Sequence, residues 1–198
     1  MTRLYTVRGG QVAMWAGAKA APASHANRGM DLEKALAIVH DHYARTGEAF
    51  VGKQHIPTQI VKGGQWAKVI GKSTVDYVGL MRGGRFVAFD AKECREQRIE
   101  LSRLQEHQYE YLKEVERLGG AAFVLVRFVL RDKLPQVYAV PFEAWRWAVE
   151  AHGAGQKVLA EKLGWWATGK ASINVKEMKS EWTVDGVDWL KTAERMKK

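Results

Sequence analysis

The sequence predicts an α/β (α+β) domain built on a mixed β-sheet flanked by helices. Three observations carry that reading. Segments 31–46 and 101–118 hold apolar residues at helical spacing. Several shorter segments are rich in strand-forming residues and bounded by glycine or proline. Segment 121–130 is an apolar run interrupted only by Arg127, the pattern of a strand covered on both faces.

Taken in order, residues 1–26 are rich in Gly, Ala and Ser and show no sustained period, which predicts a basic arm that is mobile or ordered on a partner. Residues 31–46 form the first helix, with Leu32, Leu36, Val39 and Tyr43 on one face and Gly47 as its stop. A strand is predicted at 49–56, ended by Pro57. Segments 58–62 and 65–70 about Gly63-Gly64 form a lysine-bearing projection. Segments 74–81 and 85–92 make a stronger strand pair around Gly83-Gly84. The second long helix is predicted at 101–118, stopped by Gly119-Gly120, and strands follow at 121–130 and 136–140. A last helix spans 142–151, with Pro141 at its start. The boundaries are an arm at 1–26, a body at 27–152 and an extension at 153–198. That extension holds Trp165, Trp166, Trp182 and Trp189, enough aromatic surface to pack on the body or across a subunit interface.

The length of 198 residues suits one core, and the composition (46% hydrophobic, 27% charged) is that of a globular chain. No apolar run is long enough to span a bilayer, which argues against a membrane partner. The lone Cys94 excludes an internal disulfide and points to a reducing compartment, and no Cys/His spacing suits zinc. The net charge of +9 fits a polyanionic partner, nucleic acid first. Its placement sharpens that reading. Residues 1–30 carry Arg3, Arg8, Lys19 and Arg28 and no acid. Residues 49–75 carry Lys53, Lys62, Lys68 and Lys72 and no acid. Two basic, acid-free segments thus precede Asp76, as a DNA-facing surface would require.

The candidate chemistry lies in Asp76, Asp90 and Lys92. Asp90 and Lys92 are two apart on a strand and so share a face. Asp76 joins them only in one register. A three-residue loop of Arg82, Gly83 and Gly84 pairs Met81 with Arg85 and sets Asp76 opposite Asp90, with Cβ atoms about 4.5–5.5 Å apart. A two-residue Gly83-Gly84 loop puts the carboxylates on opposite faces. If they do meet, their repulsion calls for a shared proton or cation, and hard oxygen donors favour Mg²⁺. The Ala91 carbonyl offers a further ligand, and Lys92 can orient a water or offset phosphate charge. The plainer alternative is a pair of strand-end acids bridged to lysines. Gln108 lies on the Leu104/Leu112 row of the second helix, where a polar group needs a partner, either the site or the backbone. Glu33 beside Leu32 and Leu36 either adds a carboxylate to the site or complements the helix dipole.

Five ordered blocks resemble the RecU family of Holliday junction resolvases: Asn27-Arg28-Gly29-Met30-Asp31-Leu32-Glu33-Lys34, Pro57-Thr58-Gln59-Ile60-Val61, Asp76-Tyr77-Val78-Gly79, Phe89-Asp90-Ala91-Lys92-Glu93 and His107-Gln108. The resemblance covers about residues 27–145. It implies a restriction-endonuclease-like fold with a projecting β stalk at about 53–72, and a homodimer that makes paired, symmetric incisions in four-way DNA junctions with Mg²⁺ or Mn²⁺. It carries metal binding onto Asp76 and Asp90, the catalytic lysine onto Lys92, and supporting roles onto Glu33 and Gln108. Lys53, Lys62, Lys68 and Lys72 on the stalk and Arg28 on the arm are the candidate DNA contacts. The implied setting is the cytoplasm of a bacterial cell, or of a phage-infected one, with other recombination proteins as further partners. The chain departs from the family in three places. Asp90 stands where Glu is usual, Val75 where Thr is frequent, and the Arg82-Gly83-Gly84-Arg85 turn has an extra glycine. No block of the resemblance falls in residues 153–198.

Junction resolution competes with three other readings: a nuclease for other branched or flapped DNA, a catalytically silent junction-binding recombination accessory, and a general DNA-packing protein. The intact Asp76, Asp90 and Lys92 set argues against the last two.

Overall fold

The computed structural model describes residues 4–7, 10–13, 30–55, 58–61, 66–69, 74–153 and 172–196. Strands β1 (Leu4–Val7) and β2 (Gly10–Ala13) pair antiparallel. They fall within the arm expected at 1–26, where four-residue strands are too short to show a period. Helix α1 (Met30–Thr46) buries Leu32, Leu36, Val39 and Tyr43 as their spacing predicts.

A six-stranded sheet follows, built from β3 (Ala49–Lys53), β6 (Tyr77–Met81), β7 (Phe86–Cys94), β9 (Ala121–Phe128), β10 (Gln136–Pro141) and β12 (Thr183–Val184), in the order β12-β10-β9-β7-β6-β3. The central pair β7 and β9 is parallel and the other pairs are antiparallel. This is the expected mixed sheet flanked by helices. A parallel pair needs a crossover, and helix α2 (Glu106–Arg117) lies within it. Between β7 and α2 comes β8 (Arg98–Glu100), paired with β11 (Ser172–Asn174) of the C-terminal extension. Strands β4 (Thr58–Val61) and β5 (Trp66–Val69) form a separate hairpin with no ladder to the main sheet. The predicted stalk falls there.

Alternation along the strands divides the core in two. Val87 and Phe89 point to α1 and to α4 (Leu190–Arg195), joining Leu36, Tyr43, Phe123, Leu125 and Trp189. Ala88 points to α2 and to α3 (Phe142–Gly153), joining Leu112, Val124, Val126, Phe142 and Trp145. The C-terminal extension supplies the edge strand β12, the partner of β8, and the buried Trp182 and Trp189. Residues 1–3 and 154–171, with Trp165 and Trp166, lie outside the described residues. Among the described residues, no helix is long and apolar enough to cross a membrane.

The second helix starts later than its periodicity suggests. Leu101–Arg103 is a single 3₁₀ turn, Leu104 is extended, and Gln105 is the N-cap. Leu101 and Leu104 are both buried, so their spacing of three imitates a helical face while belonging to the turn before it.

Trp189 fastens the extension to α1. Its indole Nε1 donates to His40 Nε2 at 3.1 Å, inside a cluster with Tyr43, Tyr77 and Phe89. His40 therefore accepts and is neutral, and burial lowers its pKa to about 4. In the unfolded chain the value returns to about 6.5. The folded value is the lower of the two, so this contribution is complete above about pH 6.5 and is lost as pH falls toward 4. Between pH 7 and pH 4 the wild type is expected to lose about 3 kcal/mol more unfolding free energy than His40→Gln. Denaturant titrations at both pH values measure this, and parallel losses in the two proteins would contradict a buried neutral imidazole.

Candidate metal centre

The geometry of the site starts from the β6–β7 turn. Arg82, Gly83 and Gly84 form a three-residue loop, with Met81 N donating to Arg85 O at 2.9 Å and Gly84 N to Met81 O at 3.0 Å. Gly83 and Gly84 both have positive φ (89° and 83°), a region where a Cβ is strained. The ladder runs Leu80↔Phe86, Val78↔Ala88 and Tyr77↔Phe89. One step further places Asp76 opposite Asp90, the register the site requires. Gly79 lets β3 close on the same strand, since a Cβ there would stand 2.1 Å from the Phe50 carbonyl oxygen.

Beyond Tyr77 the ladder gives way to side-chain contacts. Asp76 Oδ2 accepts from the Ala91 backbone N–H at 2.9 Å, so the carboxylate occupies the fork where β6 and β7 part. Asp90 is fully buried. Its Oδ1 accepts from Gln108 Nε2 at 2.6 Å. Its Oδ2 lies 2.7 Å from Lys92 Nζ but carries no aligned hydrogen bond, so charge holds it and lone pairs remain for a further ligand. Burial pushes the Asp90 carboxyl up to about 7; Lys92 opposes that rise, while the charge and hydrogen bond of nearby Asp76 add to it. Two carboxyls that act on each other electrostatically, one with an oxygen lacking an aligned hydrogen bond, are hard-oxygen donors of the kind that fit a small divalent cation.

The orientation of Gln108 follows from its partners. Gln108 is the N3 residue of α2, and its Oε1 accepts from the Gln105 backbone N–H at 3.0 Å in a capping box. That N–H can only donate, so the amide oxygen is committed to the helix end and the amide nitrogen faces Asp90. Gln108 orients the carboxyl and turns its amide nitrogen, not its oxygen, toward it. Gln105 escaped the sequence reading, although Gln-x-x-Gln at a helix start is a legible variant of the capping-box pattern.

The remaining candidates are more scattered. Glu33 does not gather with Asp76 and Asp90. Among the described residues, no three His, Cys, Asp or Glu side chains form a metal-holding group. Glu33 Oε2 instead pairs with Lys53 Nζ at 2.6 Å, both side chains half exposed. Lys53, expected as a DNA contact, is thus engaged within the protein. Lys68 sits on β5 opposite Gln59. Arg28, Lys62 and Lys72 lie outside the described residues. A half-buried pair unforeseen from sequence, Arg127 with Glu93 at 3.5 Å, braces β9 against β7 just past Lys92.

Comparison with known proteins gives the family. The family model described as RecU, Recombination protein U, matches residues 27–184, and so runs past the expected limit near residue 145 into the C-terminal extension. The Holliday junction resolvase RecU of Staphylococcus carnosus is 33% identical over 135 residues, 63% of this chain and 64% of that protein. The protein of the same name from Streptococcus gordonii is 36% identical over 126 residues, 59% and 61% of the two chains. That from Geobacillus kaustophilus is 33% identical over 151 residues, 71% and 74%. The chain thus spans just under two thirds of the first two relatives. Among solved structures, the Holliday junction resolvase Hjc of Archaeoglobus fulgidus aligns with a TM-score of 0.30 at 14% identity, over 56% of this chain and 77% of that one.

The buried carboxyl gives a sign that can be checked. Asp90 has its folded pKa raised to about 7 from 3.8, so the folded state holds a proton that the unfolded chain releases across that window. Its stabilising effect is present below about pH 4 and is lost as pH rises through 7. Without added metal, Asp90→Asn is expected to be at least as stable as wild type at pH 8, with the difference closing toward pH 4. Guanidinium unfolding at both pH values decides this. A variant much weaker than wild type at pH 8 would mean that the ionised carboxylate and its Lys92 contact stabilise the fold.

Proposed function

The chain belongs to the RecU family, Recombination protein U, and from that premise we propose that it is a structure-specific DNA endonuclease that resolves four-way (Holliday) junctions by paired, symmetric hydrolysis of phosphodiester bonds. The observation that carries the reading is the buried Asp90, set against Asp76 by the turn register and clasped by Lys92 and Gln108. A structural acid would be surface-exposed or fully satisfied. This one is buried, close to a second carboxyl and short of a hydrogen bond on Oδ2.

In this reading Asp76 and Asp90, with the Ala91 carbonyl, hold Mg²⁺, for which Mn²⁺ substitutes. When bound, such a cation polarises the scissile phosphate and lowers the pKa of a bound water. Gln108 fixes the rotation of the Asp90 carboxyl, leaving Oδ2 turned to Lys92. Lys92, with its ammonium at that oxygen, orients the attacking water and offsets charge developing on the phosphate. Symmetric cuts need two centres, so the proposal includes a homodimer. The cross-strand row Phe50, Leu80 and Phe86, exposed on the sheet face that carries Asp90, supports it as an apolar surface for a second copy. Lys53, Lys62, Lys68 and Lys72 of the projecting hairpin region, with Arg28, supply phosphate contacts. The setting is the bacterial cytoplasm, with other recombination proteins as partners.

Incubation of the protein with a mobile four-way junction, a linear duplex and a flap, each with Mg²⁺, tests the proposal. Paired symmetric nicks confined to the junction are expected, lost in Asp90→Asn while junction binding persists. Lys92→Ala is expected to slow cleavage at least ~100-fold. Equal cutting of the linear duplex would defeat junction specificity. Binding without cleavage in any metal would favour a silent accessory protein. Junction affinity is also expected to fall steeply with salt through counterion release, and a flat response would remove the lysine contacts.

A further inference from the structure

The row of residues that holds the two carboxylates does not end at Asp76. Beyond Lys53↔Tyr77, the last pair of β3 with β6, Gln54 donates its backbone N–H to the Asp76 carbonyl at 2.7 Å. The same bond recurs at the far end of the two strands, from the Arg82 N–H to the Glu48 carbonyl. Phe50↔Leu80 and Gly52↔Val78 lie between them in the same register, so Gln54 stands directly opposite Asp76 and shares its face of the sheet. Asp90 lies on that face and pairs across β9 with Val124. One row therefore runs Gln54, Asp76, Asp90, Val124. Its Val124 end is closed, buried in the core that α2 and α3 cover, and Gln108 and Lys92 hold Asp90. Its Gln54 end is open. Gln54 is half-buried, and Gly52, two residues back on the same face, is exposed, with nothing within 4 Å of where a Cβ would stand. Lys53, by contrast, lies across from Tyr77 on the face that packs against α1.

We propose that Gln54 is a substrate-contacting residue of this centre, its side-chain amide donating to a nonbridging oxygen of the DNA phosphate that is cut. The proposal rests on the nuclease reading above and adds a contact to it. Length favours the contact. Directly opposed Cβ atoms lie about 4.5–5.5 Å apart, and glutamine is one methylene longer than aspartate, so its amide can reach past the Asp76 carboxylate to a group lying in front of it. Chemistry favours it as well. A phosphate entering beside two carboxyls needs donors, and an amide supplies two N–H groups without a charge. A cationic side chain opposite Asp76 would pair with that carboxylate, whereas a neutral one leaves it free for a cation. The open floor at Gly52 gives the sugar–phosphate chain room to lie against the strand. Contacts of this kind set the position of the backbone without reading sequence.

Single-turnover cleavage of a mobile four-way junction by the full chain tests this, with wild type set against Gln54→Ala and the longer, apolar Gln54→Met. Both substitutions keep the backbone bond to Asp76, so thermal unfolding is expected to match wild type. Mn²⁺ binding without DNA, followed by electron paramagnetic resonance, is expected to match it too. Cleavage with Mg²⁺ is expected to slow about 10- to 100-fold in both variants, the scale of one lost hydrogen bond to a charged group. The contact itself is read from binding in the non-cleaving Asp90→Asn background, with a junction carrying methylphosphonate at the phosphate that wild type cuts. Gln54→Ala is expected to weaken binding of the unmodified junction and to leave binding of the modified one unchanged. The loss is expected to be the same at low and high salt, because a neutral donor releases no counterion. Wild-type cleavage rates in both variants, or equal binding losses on the two junctions, would overturn the Gln54 contact and leave the nuclease standing. Weaker Mn²⁺ binding in Gln54→Ala would also overturn it, making Gln54 a support for Asp76 instead. No cleavage of any DNA by wild type would overturn both readings.

Discussion

The buried carboxyl of Asp90 is the constraint around which the centre is assembled. A charge removed from water is costly unless paired and hydrogen-bonded, and each element near Asp90 meets part of that requirement. Strand periodicity brings Lys92 back to the same face. Helix α2 supplies Gln108, whose amide can serve Asp90 only because its other end is fixed by the Gln105 N–H. That double duty explains why α2 starts where it does: moving the N-cap by one residue would swing Gln108 off the carboxyl. The arrangement still leaves Oδ2 without an aligned hydrogen bond and the acidity of the group displaced to about 7. A protein selected only for stability would replace such a group with a packed apolar residue.

The same turn that sets the carboxylate register also ties down the periphery. Arg82 donates from Nε to the Gly47 carbonyl and from Nη2 to the Thr46 carbonyl, satisfying the end of α1. Arg85, on the other side of the glycines, donates to the carbonyls of Gly119, Gly120, Ala193 and Met196. One arginine thus binds the α2–β9 turn and the end of α4 to the β6–β7 corner. The orphan carbonyls of two helix ends find their donors there. The C-terminal extension is held at this corner, at the His40–Trp189 bond and along β12, where it also covers the edge of β10 that would otherwise be open to pairing.

Much of this was legible in the sequence, and the reasons differ by element. The register was legible because strand periodicity is strict and the loop had only two sensible lengths, three or two residues. The apolar run at 121–130 and the α1 face were legible because buried elements repeat themselves locally. The start of α2 was misread because Leu101 and Leu104 keep a helical interval while lying in a 3₁₀ turn and an extended residue. The β1–β2 hairpin and the strands β11 and β12 are two to four residues long, and β11 and β12 pair with distant partners, so nothing local announces them. The Glu33–Lys53 pair joins a helix to a strand twenty residues on. Sequence can flag each as a candidate but cannot show that each is the other's partner.

The substitution of Asp90 for the glutamate usual in the resembling family fits this geometry. A shorter side chain keeps its oxygens close to the strand, within reach of Lys92 two residues on and of an amide descending from α2. It also keeps the carboxyl near the fork where the Asp76 carboxylate meets the Ala91 N–H.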